Sequence, residues 1–186
     1  MEYLTSRENA RVRELSRLFC SAKSRREAHL FVAEGERLCR DAALSSAEIL
    51  RTFVTPGACE KYADTVRLLA EKSAEQLGIS EELARRVGDT EHPQGIFAVC
   101  RMRDDRAESA ALHAHSRVAV LENIQDPANL GAVFRSAEAF GLDAVLLAGS
   151  CCDVYAPKAV RAGMGAIFRL NVIRAETGPE AAAMLA

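Results

Sequence analysis

Two short apolar runs in the second half of the chain, Val118–Leu121 and Ala144–Ala148, constrain the fold more than any other feature of the sequence. Uninterrupted apolar runs of this length are typical of strands that are covered on both faces of a sheet. Between them, residues 130–140 carry apolar side chains at helical spacing, and Gly141 provides the following turn. A strand, a helix and a second strand in this order make a βαβ unit with parallel strands. The sequence therefore predicts an α/β fold built on a parallel sheet.

The rest of the chain repeats this alternation of short strands and helices. We expect a small α/β domain over residues 1–103, a charged linker over 104–116 and a second, parallel α/β domain over 117–186. Apolar runs and helical spacing predict the further elements, which are strands at 29–33, 49–54, 95–100 and 167–172 and helices at 9–27, 36–44, 58–77, 80–87 and 157–163.

Charge and hydropathy exclude several classes of protein. The chain carries 24 basic and 26 acidic side chains and a formal net charge of −2, so any attraction to nucleic acid must come from a local patch. Apolar residues make up 49% of the chain, which excludes a disordered chain. They fall in short and interrupted runs, which excludes a membrane-spanning helix. The first residues lack the apolar core of a signal sequence, so we expect a cytoplasmic protein.

Histidine and cysteine spacing predicts no metal site. His113 and His115 lie two residues apart with no third ligand close in sequence. The cysteines lack the paired spacing of zinc ligands, and we expect them to be reduced and buried as small apolar side chains. Cys151 and Cys152 are adjacent, which leaves a redox role open for that pair. The six cysteines are Cys20, Cys39, Cys59, Cys100, Cys151 and Cys152.

A basic face marks the predicted helix at 9–27. Apolar side chains recur at helical spacing on one side, while arginines that include Arg11, Arg17 and Arg25 lie on the other. Such a face can bind the phosphate backbone of RNA. It can equally be an ordinary solvated helix surface, and charge alone does not separate the two interpretations.

Two polar loops, at residues 122–129 and 149–157, follow the apolar strands of the second domain. In a parallel α/β sheet, ligands bind beyond the carboxyl ends of the strands, which is where these loops lie. Asn129 is placed to cap the next helix, whose first N–H groups would attract a phosphate or a carboxylate. The plainer interpretation is that Asn129 is only a cap and that Asp126 and Pro127 only form a turn.

Three basic residues lie close to these loops in the sequence. Arg135 falls outside the apolar stripe of its helix, which includes Phe140, and is there either a solvated surface charge or a functional group. Lys158 and Arg161 are neighbours on one helix face and could contact a phosphate together. Gly163 and the nearby Gly165 indicate a close backbone approach or a strained turn. No glycine-rich nucleotide-binding motif follows either strand, so nucleotide hydrolysis and dinucleotide binding lose their usual sequence support.

A family resemblance extends over nearly the whole chain. Residues 123–132, with Arg135 and Ala139-Phe140-Gly141, resemble motif 1 of the SpoU-like (TrmH-type) RNA 2′-O-ribose methyltransferases. Residues 153–161 and 164–169 are similar to motif 2 of that family. The first half is similar to the RNA-binding domain that many members place before the catalytic one, and the matching residues are Ser6, Asn9, Glu34-Gly35 and Pro93-Gln94-Gly95.

The resemblance implies both a fold and an activity. It implies a SPOUT-like, knotted α/β domain that transfers a methyl group from S-adenosylmethionine to a ribose 2′-hydroxyl of rRNA or tRNA, in a homodimer. By the same resemblance, Arg135 would act at that hydroxyl as a base or as the group that orients it, and Asn129 would hold the site in place. An arginine base is chemically awkward because a guanidinium holds its proton tightly.

The chain departs from the family pattern at two places. Members usually carry Ser where this chain has Gly163, and the sequence ends at Ala186 before any motif 3, the segment that in the family supplies most of the cofactor pocket. We therefore expect a C-terminally incomplete catalytic domain and predict no particular cofactor-binding residue. Two alternatives stay open, namely a non-catalytic RNA-binding protein derived from this family and an unrelated α/β enzyme that acts on a small molecule.

Overall fold

A computed structural model describes residues 1–106 and 112–185 of the chain, which divides into two compact units, Met1–Met102 and Arg103–Ala186. Residues 104–106 and 112–116 of the predicted linker fall within the second unit, and residues 107–111 lie outside the described residues. Within the described ranges, no helix combines the length and the apolar character needed to cross a bilayer.

Five strands form the sheet of the first unit: β1 (Glu2–Leu4), β2 (Leu30–Glu34), β3 (Ile49–Val54), β4 (Ser73–Ile79) and β5 (Ile96–Arg101). Their order across the sheet is β1-β4-β3-β5-β2. The first three strands in that order are parallel, whereas β5 runs antiparallel to both β3 and β2. Phe53 of β3 is in register with Leu77 of β4 on one side and with Phe97 of β5 on the other, which places three large side chains side by side at the centre.

Helices cover both faces of this sheet. They are α1 (Ala10–Cys20), α2 (Ala22–Ala28), α3 (Glu36–Leu44), α4 (Pro56–Lys61), α5 (Ala63–Lys72) and α6 (Glu81–Val87). Apolar residues of α1 and α6 pack into one cluster with Phe53, Leu77 and Phe97. Because successive side chains of a strand point to opposite faces, the intervening residues face the other layer, where α3 and α5 pack. The unit is therefore a three-layer α/β/α arrangement.

Two predicted helices of the first unit are wrong in their extent. The helix expected at 9–27 is two helices, separated at Ser21, whose backbone is extended and whose hydroxyl accepts a hydrogen bond from the Ser24 N–H at 3.1 Å. The helix expected at 58–77 is instead most of α4 and the whole of α5, separated at Tyr62, and its last part is strand β4. In β4 the buried Leu77 and Ile79 alternate with a period of two, a signal too short to stand out after a helical run.

The second unit is a βαβ arrangement, as predicted. Its strands β6 (Val118–Glu122), β7 (Ala144–Ala148) and β8 (Asn171–Ala175) are parallel in the order β6-β7-β8. The central strand β7 is buried along its whole length. Its helices are α7 (Pro127–Ala139), α8 (Pro157–Ala162) and α9 (Gly178–Met184).

Two details of this unit differ from the prediction. The strand β6 lies at an edge of the described sheet, where Val120 is 48% exposed, so it is not covered on both faces. The strand expected at 167–172 begins only at Asn171, because residues Ala166–Phe168 form a turn of 3-10 helix that buries the same apolar side chains. Apolar runs identify buried segments but not their backbone conformation.

Burial of the cysteines is confirmed only in part. Cys39 and Cys100 are fully buried, and burial raises the pKa of the Cys100 thiol to about 12. Cys20, by contrast, is exposed at the end of α1, and the other three cysteines are half-buried.

Candidate functional site

The loops that follow β6 and β7 are joined to each other at the carboxyl ends of these strands. Asn123 has a left-handed backbone with φ of 57°, and its Oδ1 accepts a hydrogen bond from the Ser150 N–H at 2.9 Å. A side chain at Gly149 would place its Cβ 2.7 Å from that same Oδ1, and the φ of Gly149 is +63°. Only glycine fits this position without strain, which allows the two loops to approach closely.

Two further hydrogen bonds complete this junction. The Gln125 side-chain amide donates to the Ser150 carbonyl, and the Cys152 N–H donates to the Ile124 carbonyl at 2.8 Å. Both polar loops predicted from the sequence therefore lie together at one edge of the sheet, as expected for a parallel α/β unit.

Asp126, and not Asn129, caps helix α7. Its Oδ1 accepts hydrogen bonds from the N–H groups of Ala128 at 2.7 Å and Asn129 at 2.9 Å. These backbone donors, together with the Lys158 ammonium 3.7 Å from Oδ2, hold the pKa of the Asp126 carboxyl below its ordinary value. The anion expected at the start of this helix is thus the chain's own carboxylate. The prediction that Asn129 is the cap is wrong because the helix begins at Pro127, a residue well suited to the first helical position.

Asn129 does not cap α7 but lies exposed on the surface of the helix. The residue lies in the first turn of α7 with its side chain exposed. Its amide forms no hydrogen bond with the described part of the chain, so it can donate to and accept from a ligand. The plainer interpretation, in which Asn129 serves only as a cap, no longer holds.

Helices α7 and α8 touch backbone to backbone at Gly131. A Cβ on this glycine would lie 2.4 Å from the Ala159 carbonyl oxygen and 2.8 Å from the Gly163 nitrogen. Any other residue would push the two helices apart. This contact was not predicted from the sequence, although a glycine within a helical pattern is a signal for close packing.

This contact brings Arg135 to the turn that follows α8. Arg135 lies one helical turn after Gly131, on the same side of α7. Its Nη1 donates to the Met164 sulfur at 3.2 Å, and its side chain is otherwise exposed. Met164 has a left-handed backbone with φ of 49°, and Gly165 follows with φ of 86°. The prediction of a close approach or a strained turn around these residues is confirmed.

Arg135 and Asn129 lie on the same helix but not on the same face. Six residues separate them, which corresponds to about 9 Å along the axis and about 120° around it. The expectation that Arg135 lies off the apolar stripe is confirmed by its exposure. Phe140 was assigned to that stripe wrongly, since it is 75% exposed beyond the end of α7.

The basic residues of α8 differ in their surroundings. Lys158 is exposed and faces Asp126 across the first turns of α7 and α8. Arg161 is half-buried in the last turn of α8. The prediction that both contact one phosphate stays a prediction.

The three arginines predicted to bind RNA have three different environments. Arg25 is only 4% exposed, and its Nη1 donates to the carbonyls of Leu18 at 2.7 Å and Phe19 at 3.1 Å, near the end of α1. Arg25 is therefore a structural residue, and its burial contradicts the prediction that it binds RNA. Arg11 is half-buried and paired with carboxylates, whereas Arg17 is exposed.

The front-half residues that matched the family pattern come together in two places. Asn9 caps α1 by accepting from the Arg11 N–H at 2.9 Å. At one end of the sheet, the Gln94 side chain accepts from the Glu36 N–H at 2.7 Å. Glu34, which is buried, accepts from the Thr90 hydroxyl at 2.7 Å and so holds the segment that follows α6.

Comparison with protein families matches both units. Residues 116–186 match the SpoU rRNA Methylase family, and residues 9–98 match the MRM3-like substrate binding domain. A solved RNA 2′-O ribose methyltransferase superimposes with a TM-score of 0.77 at 30% identity, covering 96% of this chain and 67% of that one. The chain belongs to the SpoU rRNA methylase family.

Other SpoU proteins are similar over most of this chain. The 23S rRNA (guanosine(2553)-2′-O)-methyltransferase RlmP of Bacillus subtilis is 31% identical over 174 residues, which cover 94% of this chain and 65% of RlmP. The SpoU methyltransferase AviRb of Streptomyces viridochromogenes, solved in complex with AdoMet, superimposes with a TM-score of 0.81 at 26% identity, covering 95% of this chain and 66% of AviRb. The chain spans less than two thirds of the length of the curated SpoU relatives it matches.

Proposed function

We propose that the protein is an S-adenosylmethionine-dependent methyltransferase that modifies a ribose 2′-hydroxyl of ribosomal RNA. Membership of the SpoU family supports this proposal, and relatives that match over most of the chain are named as rRNA 2′-O-methyltransferases. The observation that carries it is the contact between Arg135 of the first predicted motif and Met164 of the second.

Arg135 is proposed to orient the ribose hydroxyl and to bind the adjacent phosphate. A guanidinium stays protonated in proteins, so it can donate hydrogen bonds but does not remove a proton readily. Its planar fork can hold a phosphate oxygen and a hydroxyl oxygen at the same time. Holding the hydroxyl in line with the methyl donor would supply much of the rate, because the reaction needs a precise approach of two groups.

Asn129 is proposed to contact the RNA or the loops once the substrate is bound. Its amide is exposed on the first turn of α7 and carries both donors and an acceptor. Lys158 and Arg161 are proposed to bind flanking phosphates from the neighbouring helix.

S-adenosylmethionine would supply the methyl group, and no described residue is assigned to it. An adenosyl group needs a slot with an apolar floor and a few polar partners. At the edge of β6 and β7 the loops are bonded to each other through Asn123 and Gln125. These hydrogen bonds fix the two loops relative to each other. The proposal of this cofactor rests on relatives such as AviRb, which was solved with AdoMet.

The first unit is proposed to bind the substrate RNA. We propose an RNA-binding domain at residues 1–103, a linker at 104–116 and a partial methyltransferase domain at 117–186. The match of the first unit to a substrate binding domain supports its role. We further propose a homodimer, on the basis of the family resemblance, and a cytoplasmic location, because bacterial relatives act on ribosomal RNA.

The test is methyl transfer from labelled S-adenosylmethionine to ribosomal RNA, with the product mapped as a ribose 2′-O-methyl group. Replacing Arg135 with Ala should lower the turnover about 10²- to 10³-fold, as expected for loss of one well-placed donor. RNA affinity should change less than about twofold, since one phosphate contact is lost among several. Arg135→Lys keeps the charge without the fork and should recover only part of the rate.

Either of two results would contradict the proposal. Turnover of Arg135→Ala close to that of the unchanged protein would remove Arg135 from the mechanism. RNA binding without methyl transfer by the unchanged protein would favour the non-catalytic RNA-binding alternative.

A further inference from the structure

A groove of about 540 Å³ lies between α1 and α6 on the surface of the first unit. Four arginines line it, and they come from the segment before α1, from α1 itself and from the end of α6. The only acidic side chain among the lining residues is Glu8. The charged residues of the groove are Arg7, Arg13, Arg17, Arg86 and Glu8.

The other flank of α1 shows the opposite arrangement. There Arg11 pairs with Glu2 at 3.5 Å and with Glu75 at 2.8 Å. Arg51 of the sheet pairs with Glu75 at 3.3 Å and with Glu14 of the same helix. Positive charge on this flank is neutralised by carboxylates of the protein itself, whereas the groove keeps an excess of positive charge.

The ion pairs formed by the groove arginines are exposed to solvent and contribute little to stability. Arg13 lies 3.8 Å from Glu8, and Arg86 lies 2.7 Å from Glu82, with all four side chains well exposed. Exposed pairs of this kind contribute little to stability and exchange easily for another anion. Arg7 and Arg17 form no ion pair with any residue of the described ranges. Each of the four guanidinium groups can therefore turn toward a bound anion.

The scaffold of the groove is well fixed. Asn9 caps the start of α1, and Ser80 caps the start of α6 by accepting from the Leu83 N–H at 3.0 Å. Apolar side chains of both helices pack in the same core cluster, which holds them side by side. Arg13 and Arg17 are one helical turn apart, with Cβ atoms about 6 Å from each other, and so face the groove as a pair.

We propose that this groove binds the sugar–phosphate backbone of the substrate RNA, an inference that rests on the proposed function. Guanidinium groups match phosphate oxygens in a bidentate manner and are the usual residues for nucleic-acid backbones. An acidic protein partner is less well suited, because no aromatic residue lines the groove to serve as an interface anchor. The groove also belongs to the unit that matches a substrate binding domain.

The test compares two triple variants of the 186-residue chain that remove the same amount of charge. The groove variant carries Arg13→Gln, Arg17→Gln and Arg86→Gln. The control variant carries Arg40→Gln, Arg67→Gln and Lys72→Gln, which are exposed residues of α3 and α5 on the opposite side of the sheet. Circular dichroism melting establishes that both variants are folded.

Binding is measured by fluorescence anisotropy with a labelled oligouridylate of about 20 nucleotides, at KCl concentrations from about 50 to 200 mM. The groove variant should bind about 10- to 100-fold more weakly at the lowest salt, and the slope of log K against log salt should fall in magnitude by about 2. The control variant should stay within about twofold of the unchanged chain. A variant with Lys at the three groove positions should recover most of the slope but only part of the affinity.

Several outcomes overturn the proposal. Equal losses in the groove and control variants would indicate a general charge effect, and unchanged affinity in the groove variant would show that the RNA binds elsewhere. Binding of phosphatidylserine vesicles without binding of oligouridylate would assign the groove to a membrane surface. Methyl transfer is a separate readout: a chain that binds oligouridylate through the groove but methylates no ribosomal RNA keeps this proposal and contradicts the proposed function.

Discussion

The two units of the chain build their polar surfaces in different ways. In the second unit, residues 123–125 bond to residues 150–152, and these two segments directly follow the neighbouring parallel strands β6 and β7. In the first unit, the arginines of the groove come from α1 and α6, which only the packing of the core brings together. The order of strands and helices in a βαβ unit predicts a surface of the first kind, because loops that follow parallel strands meet at one edge of the sheet. A surface of the second kind becomes visible only in the folded chain.

The largest expected effect separates the buried Arg25 of the first unit from an exposed arginine beside it. Arg25→Met removes a buried guanidinium that donates to two backbone carbonyls, so the free energy of unfolding should fall by about 2 to 3 kcal/mol. Arg26→Met, at the exposed neighbouring position, should leave stability within about 0.5 kcal/mol. Urea denaturation measures both. Similar stabilities of the two variants would mean that Arg25 does not hold the end of α1.

The next effect concerns the packing on which the second unit depends. Gly131→Ala places a Cβ 2.4 Å from the Ala159 carbonyl oxygen, so α7 and α8 must move apart, at about 1 to 3 kcal/mol of stability. Because Arg135 follows on the same side of α7, methyl transfer should also fall. Ser136→Ala, on the exposed side of the same helix, is the matched control. Normal stability of Gly131→Ala would show that these helices have room to adjust.

The smallest effect on stability tests the turn at Met164. Met164→Gly removes the sulfur that accepts from Arg135, and it relieves the left-handed backbone while adding freedom to the unfolded chain. These two backbone contributions nearly cancel, so stability should stay within about 0.5 kcal/mol. The turnover should fall about tenfold with little change in KM, because Arg135 loses its support. A change in KM alone would assign Met164 to binding and not to the positioning of Arg135.

Sequence patterns predicted the parts of the fold that depend on local residues. The run Ala144–Ala148 is apolar at every position, and the structure buries all of it as the central strand β7. Polar loops on either side of a predicted helix correctly indicated the edge of the sheet where Asn123 and Ser150 meet. The first inference succeeds because it depends on a single short segment, and the second because the carboxyl ends of parallel strands lie at the same edge of a sheet.

Other features depend on contacts that no single segment contains. Most of strand β4 was predicted as helix because its first residues favour a helix. The segment is a strand because it pairs with β3 and β1, contacts that override this local preference. The cap of α7 was assigned to Asn129 because the helix was expected to start at Leu130, although Asp126 followed by Pro127 is a strong start signal. Burial of Arg25 could not be read from a pattern in which it resembles its exposed neighbours.

The excess positive charge of the groove affects the stability of the first unit when no RNA is bound. Four guanidinium groups that share a small concave surface repel one another, and this repulsion opposes folding of the first unit. Any ligand that binds only the folded state raises its stability by mass action. A polyanion bound in the groove, as proposed above, would therefore raise the stability of the first unit. In the proposed groove, the same four charges that would favour an RNA backbone oppose the folding of the unit that carries them.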